Sequence, residues 1–308
     1  MRSSAPASPA ALAELGTLIA RYAPGPGGHC AIPRVGLLRA DAPTEPVPVV
    51  YEPLLCLVAQ GRKRVMLGEQ VVEYDPANYL IASVDLPVTG AVLEASPEAP
   101  YLSMSLRIDP ALLAEVMLGV PAPAAPPGAH PGLVASPIDA DLLDPALRLL
   151  RLLERPEDIP VLAPMIEREI LYRVLTGEQG AMLRQIAQAG STLTRIGRAI
   201  AWIRRHYAEP FRIETVAAVA NMTPSTFHRH FKGITSMSPL QYQKRIRLQE
   251  ARRFLLANQA DAASVGFAVG YESPSQFSRE YRRLFGAPPL RDAERLRASG
   301  LAEQLAVA

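Results

Sequence analysis

Residues 224–240 read PSTFHRHFKGITSMSPL, and fifty positions later residues 274–290 read PSQFSREYRRLFGAPPL. Pro224, Ser225, Phe227, Arg229, Pro239 and Leu240 recur as Pro274, Ser275, Phe277, Arg279, Pro289 and Leu290, six identities in 17 positions. Chance gives roughly one, so the chain carries a duplicated supersecondary unit. Phe231/Tyr281 and Lys232/Arg282 are conservative partners within it. Upstream the offset falls to 49, pairing Val216-Ala217 with Val265-Gly266 and Met222 with Tyr271, so one turn is a residue longer.

Each copy predicts a short helix, a tight turn and a second helix. In the first copy Ile213, Val216, Ala217 and Ala220 form an apolar stripe, and Asn221 and Met222 close the helix. Thr223 then caps the second helix, with Pro224 at its first position. From Ser225 to Lys232 that helix turns Phe227 and Phe231 inward, and Ser225, Thr226, His228 and Arg229 outward. In the second copy Gly270 ends the first helix and Ser273-Pro274 repeats the cap. Phe277 and Tyr281 point inward there, and Ser275, Gln276 and Arg279 point outward. These are helix-turn-helix units, whose second helix enters the major groove. The seven outward residues are the candidate base readers, whereas Lys232, Arg282 and Arg283, at the distal ends, are candidate phosphate contacts.

Between the copies, SPLQYQKRIRLQEARRFLLA (residues 238–257) reads as one helix capped by Ser238. Leu248, Ala251 and Leu255 form its inward stripe, and Lys244, Arg245, Arg247, Arg252 and Arg253 keep the remainder basic. Such a helix spans roughly 27 to 30 Å, close to the ~34 Å advance of one turn of B-DNA. Two reading helices can then enter successive major grooves without a second protomer.

Charge follows the same division. The chain has 308 residues and a net charge of +2, but residues 191–308 hold 18 Lys/Arg against 9 Asp/Glu, leaving 14 against 21 for residues 1–190. A basic module suits a polyanion partner, nucleic acid first. Of the 30 prolines 24 precede residue 165, and 12 of the 18 aromatics follow residue 190. Two domains of different construction are expected, 1–190 and 191–300.

In the first domain the segments 49–61, 62–67, 70–74, 78–84, 89–95 and 101–108 are short apolar or alternating runs separated by turn signals, as in an antiparallel sandwich or barrel. In YLSMSLRI (101–108), Leu102, Met104 and Leu106 are expected inward, with Ser103, Ser105 and Arg107 in water. A proline-rich connector is expected over 121–137, helices over 139–154 and 159–176, and the end of this unit with the start of a linker over 177–191. The leucine-rich helices carry more apolar surface than one small sheet covers, so packing on the β domain and dimerisation are both open to them. No segment has the length and apolarity of a membrane span, and the start MRSSAPASPA lacks the layout of an export signal, so the cytoplasm is expected.

An enzyme reading lacks its chemistry. No histidine lies between His29 and His130, so a metal-dependent barrel enzyme has no ligand set, and no phosphate loop or nucleophile elbow occurs. No cofactor is expected. Cys56 sits among Leu54, Leu55, Leu57 and Val58, a packing thiol with redox or electrophile sensing as the alternative; Cys30 lies in a glycine-rich segment.

The run from VA…NMTPSTFHRHFK through SPLQYQKRIRLQEARRFLL to VGFAVGYESPSQFSREYRRLFGAPP resembles the DNA-binding domain of the AraC/XylS family of bacterial transcription regulators. YEPLLCLVAQGRKRVMLG and YLIASVDLPVTGAVLEASPEAPYL resemble the sensory domain of one subgroup, a cupin-like barrel followed by dimerising helices. The resemblance implies a homodimeric regulator of double-stranded promoter DNA, acting with RNA polymerase and answering to a small organic effector. Two positions depart from the family pattern: Ser236, where glycine is usual and Gly286 stands in the second copy, and Gly266 in place of alanine. Cys56, Tyr74, Tyr79, Tyr101 and Met104 are the candidate effector pocket, suited to a mostly uncharged molecule, with a side-chain-filled core as the alternative. Two other readings stay open: a β domain that serves only as a dimerisation platform, and a cupin-type enzyme.

Overall fold

The computed structural model describes residues 5–23, 30–121, 131–188, 190–257 and 261–298. His29, His130 and most of the expected connector lie outside them. Helix α1 (Pro9–Tyr22) leads into strands β1 (Val35–Ala40), β2 (Val47–Tyr51), β3 (Leu54–Gln60), β4 (Arg62–Leu67), β5 (Gln70–Tyr74), β6 (Asn78–Ala82), β7 (Leu86–Glu94) and β8 (Tyr101–Arg107). After α2 (Pro110–Leu118), β9 (Leu133–Pro137) pairs with β6. One sheet runs β1-β8-β3-β6-β9 and the other β2-β7-β4-β5, all antiparallel.

Three sequence expectations are corrected. The connector 121–137 ends in a strand, because Leu133 to Pro137 complete the edge beside β6. The stretch 177–191 contains helix α5 (Gly180–Ala187), whose Met182 and Leu183 join the core. Strand β8 is covered on both faces at Ser103, as enclosed as Leu102, because the second sheet lies on one side and helices on the other, while Arg107 at its end is exposed as expected. Alternation therefore divides two interiors here rather than core from water. Leu55, Leu57, Tyr79, Ile81, Leu102, Met104 and Leu106 face α1, α3 (Ala140–Arg151) and α4 (Ile159–Thr176). Cys56, Val58, Leu80 and Tyr101 face the other sheet.

The C-terminal part is helical: α6 (Thr192–Arg205), α7 (Ile213–Val219), α8 (Pro224–Thr235), α9 (Pro239–Ala257), α10 (Ala262–Ala268), α11 (Pro274–Phe285) and α12 (Pro289–Ala298). The apolar contents of α6 to α8 and the start of α9 merge with the intersheet core in one cluster. The second repeat, by contrast, has a core of its own.

Of the basic remainder of α9, Arg252 is buried and Lys244, Arg245 and Arg247 are half-buried. Arg252 and Asp292 are 7% and 0% exposed, joined by two hydrogen bonds of 2.8 and 3.1 Å. The Tyr281 hydroxyl donates to the same carboxylate at 3.0 Å, and the guanidinium lies 4.4 Å from the Phe285 ring centre. Arg247 donates to the carbonyls of Tyr207 and Gly270 at 2.6 and 2.7 Å, tying the end of α6 to the turn of the second repeat. These arginines close the second unit onto α9. Arg252→Met, which leaves the buried Asp292 carboxylate only Tyr281 and the half-exposed Arg295, is expected to destabilise by about 2–4 kcal/mol, read from urea unfolding of the full chain.

Candidate nucleic-acid interface and effector site

Both reading helices begin alike. The Thr223 hydroxyl accepts from the Thr226 amide and the Ser273 hydroxyl from the Gln276 amide, each at 3.4 Å, with Pro224 and Pro274 following. Two fully buried rings then pin each helix by its inner face: Phe227 and Phe231 in α8, Phe277 and Tyr281 in α11. The preceding turns need left-handed backbone, which Asn221 (φ 53°) and Gly270 (φ 92°) supply. A side chain at 270 would also collide with the Ala208 carbonyl.

With the inner faces fixed, Ser225, His228, Arg229 and Lys232 of α8 are exposed. Ser275, Arg279, Arg282 and Arg283 of α11 are exposed as well. Thr226 and Gln276 are half-buried. The Thr226 hydroxyl accepts from Thr223 at 3.0 Å, and the Gln276 amide donates to Glu280 at 3.2 Å. Glu280 is a residue the repeat did not flag, since His230 holds its place in the first copy. Burial raises its pKa, but hydrogen bonds from Lys244 (2.9 Å), Gln276 and Tyr271 (2.9 Å) outweigh burial and hold the carboxyl below its usual range. It stays ionised and keeps Gln276 directed along the helix.

The first unit is docked on the β part. The Tyr242 hydroxyl donates to the Asp85 carbonyl at 2.8 Å, Arg204 pairs with the Asp85 carboxylate, and Arg245 donates to the Pro87 carbonyl at 3.4 Å. The Gly132 amide donates to the Ile234 carbonyl at 2.9 Å. Ser236, the departure from the family glycine, adopts φ 56° and ends α8 as Gly286 (φ 79°) ends α11. Its hydroxyl donates to the Gln70 side-chain carbonyl at 3.2 Å, a contact glycine cannot make. Gly266 lies against the Phe277 ring, where an added Cβ would stand 3.0 Å away.

The structure brings together Cys56, Tyr74 and Tyr101 of the effector candidates, between the sheets. The Tyr74 hydroxyl donates to the Cys56 sulfur at 3.7 Å. Burial pushes the Cys56 thiol and both phenols up, so all three are protonated at neutral pH. Tyr79 and Met104 lie on the helix-facing side of the same sheet, separated from the others by strand parity. Sequence reasoning passed over Lys63. Its phase with the buried Val65 and Leu67 in RKRVML marks it as an inward position. A groove of about 310 Å³ also lies at the junction of the β and helical parts. Its charges are mutually paired: Arg34 with Asp109, Arg107 with Glu52, and Arg204 with Asp85. Among the described residues no group of three or more His, Cys, Asp or Glu side chains is placed to hold a metal, and no helix is long and apolar enough to cross a membrane.

Facing antiparallel sheets followed by two helix-turn-helix units define a two-part regulator fold. Residues 31–182 match the AraC-type transcriptional regulator N-terminus, and residues 216–295 match a helix-turn-helix domain family. The chain belongs to the AraC-type transcriptional regulators, a family of regulators and not of enzymes. It is 30% identical over 154 residues to the HTH-type transcriptional activator RhaS of Escherichia fergusonii, covering 49% of this chain and 54% of that protein. The chain thus spans about half the length of the curated relatives it matches. ToxT of Vibrio cholerae has the same overall fold. Its apo form superposes with a TM-score of 0.55 at 9% identity, covering 84% of this chain and 97% of that one. The form with bound unsaturated fatty acid gives 0.55 at 7%, covering 84% and 93%.

Ser236→Gly relieves about 1–2 kcal/mol of left-handed strain but loses one hydrogen bond of about 1 kcal/mol, so little net change in stability is expected. Gln70→Ala, which also removes a bond to the Leu133 carbonyl, is expected to cost about 1–3 kcal/mol. Thermal unfolding of the two variants side by side checks both.

Proposed function

We propose that the protein is a sequence-specific transcription regulator whose residues 191–300 bind promoter DNA and whose residues 1–190 bind a small effector and dimerise. The observation that carries this is the pair of helices α8 and α11, anchored by equivalent buried aromatics and presenting matching exposed faces. In the first unit Ser225, Thr226, His228 and Arg229 read bases, with Arg229 suited to guanine. In the second unit Ser275 and Arg279 do so, while Gln276, held by Glu280, reaches the groove only by leaving that partner. Lys232, Arg282 and Arg283 contact phosphates. The relatives named activators favour activation, with RNA polymerase as the further partner and the cytoplasm as the location. The fatty-acid-bound ToxT structure favours a small organic effector, and Cys56, Tyr74 and Tyr101 are its intersheet contacts here.

Dimerisation falls to α4. Val161, Met165 and Tyr172 are 66%, 62% and 44% exposed at spacings of four and seven, one helical stripe. Beside it a groove of about 450 Å³ runs between α3 and α4, lined by Leu152, Leu162, Met165 and Ile166 with Arg148, Arg151 and Glu169. A two-fold pair of such stripes is self-complementary.

Footprinting on promoter fragments tests the DNA reading. Arg229→Ala is expected to relax base preference at a cost of about 1–3 kcal/mol, whereas Lys232→Ala weakens all sequences alike and flattens the salt slope by about one. Unchanged affinity and preference in Arg229→Ala would remove it from the readers. Met165→Glu is expected to turn dimer into monomer in sedimentation at tens of micromolar; a wild-type monomer at that concentration excludes the α4 interface.

A further inference from the structure

Strand β4 sends one lysine between the sheets. Lys63 lies opposite Tyr74 of β5 and Val92 of β7, and shares its face with the fully buried Val65 and Leu67. Its chain crosses Gly90. A Cβ built there would lie 3.3 Å from Lys63 Cε, 3.9 Å from the Tyr51 hydroxyl and 4.0 Å from Lys63 Nζ, so ammonium and phenol converge on one point. The ammonium also stands 5.6 Å from the Tyr51 ring centre. From the facing sheet come Cys56 and Tyr101, both within electrostatic reach of it.

Two things are missing from this cluster. Among the described residues no carboxylate lies within ion-pair distance of Lys63, although nearly every other enclosed cation has one or is bonded to carbonyls. The Tyr101 hydroxyl, on a residue 0% exposed, makes no well-formed hydrogen bond, with Ser103 as its polar neighbour. A half-buried charge without a counter-ion and a buried hydroxyl without an acceptor are each unfavourable, and one anion between them would satisfy both. Burial works to neutralise Lys63, and the hydrogen bond with the Tyr51 hydroxyl works the other way.

We propose that Lys63, with the hydroxyls of Tyr51 and Tyr101, forms an anion-recognition centre between the two sheets, and that its ligand is a small apolar monocarboxylate. One cation balances one negative charge; a phosphate dianion would leave a buried charge uncompensated. The two carboxylate oxygens take the ammonium and both phenols as donors, and Val58, Val65 and Leu67 are apolar members of the same intersheet core. This rests on the intersheet effector site proposed above, replaces its mostly uncharged molecule by an anionic one, and explains why a lysine stands at an inward strand position.

Calorimetric titration of the full chain with matched pairs tests it: benzoate against benzamide, and hexanoate against hexanamide. At least one carboxylate is expected to bind saturably, about ten- to hundredfold tighter than its amide, the loss expected when a charge-assisted bond is removed. Lys63→Met should bring the carboxylate down to the amide's affinity and leave the amide unchanged, and Tyr101→Phe should weaken the carboxylate alone. Amides that bind as well as carboxylates overturn the anion centre and leave the effector site standing. Binding by no member of either pair overturns both. The acid-against-amide comparison on the unmodified protein decides even where Lys63→Met does not fold.

Discussion

Tyr242 joins the two halves of the molecule. Its ring meets Phe231 edge-on at 5.4 Å, locking α9 against the first reading helix, and its hydroxyl reaches the Asp85 carbonyl at the start of β7. A buried phenol without an acceptor would be costly, so the aromatic packing of the helical unit and its docking on the β part are satisfied together or not at all. Arg204, paired with the Asp85 carboxylate, adds a charge-assisted bond at the same residue. The intersheet core therefore continues without a break into the first helix-turn-helix unit.

Strand β7 is the shortest route between the two candidate sites. It begins beside Asp85 and Pro87, which hold α6 and α9, and five residues past Asp85 it passes beneath Lys63 at Gly90. A ligand between the sheets can alter the presentation of α8 only if it binds two docking arrangements unequally. The geometry offers a physical path for that difference: Tyr51 and Lys63 rest on the strand whose other end carries the docking contacts.

The two reading units differ in what holds them. The first shares its core with the β part and ends in a serine that bonds to Gln70. The second is closed by Arg252–Asp292, by Arg247 and by the Glu280 network around Tyr271, all within the helical part. Only one described ion pair, Arg295 with Glu45 on exposed side chains, links the second unit to the β part, and such a pair contributes little. Docking thus constrains α8 far more than α11.

The repeat made the helical half legible from the sequence. Caps, inward aromatics and outward polar residues all follow from local periodicity, which a single helix obeys whatever surrounds it; α8, α9 and α11 lie where the pattern puts them. Alternation likewise placed most strands, and the charge division marked the basic module. What sequence could not fix was which surface covers which face. Ser103 reads as solvent-facing because polarity was taken for exposure, yet a second sheet encloses it, and nothing in the sequence pairs Arg252 with Asp292. Tyr79 and Met104 read with Cys56, Tyr74 and Tyr101 because all are apolar strand residues, and only the packing of helices on one face and a sheet on the other separates them. Lys63 carried its inward phase in the sequence, but its lack of a counter-ion is a property of what every neighbouring strand brings to that point. Local periodicity is written residue by residue; burial and pairing belong to residues far apart in the chain, and only the tertiary fold sets those distances.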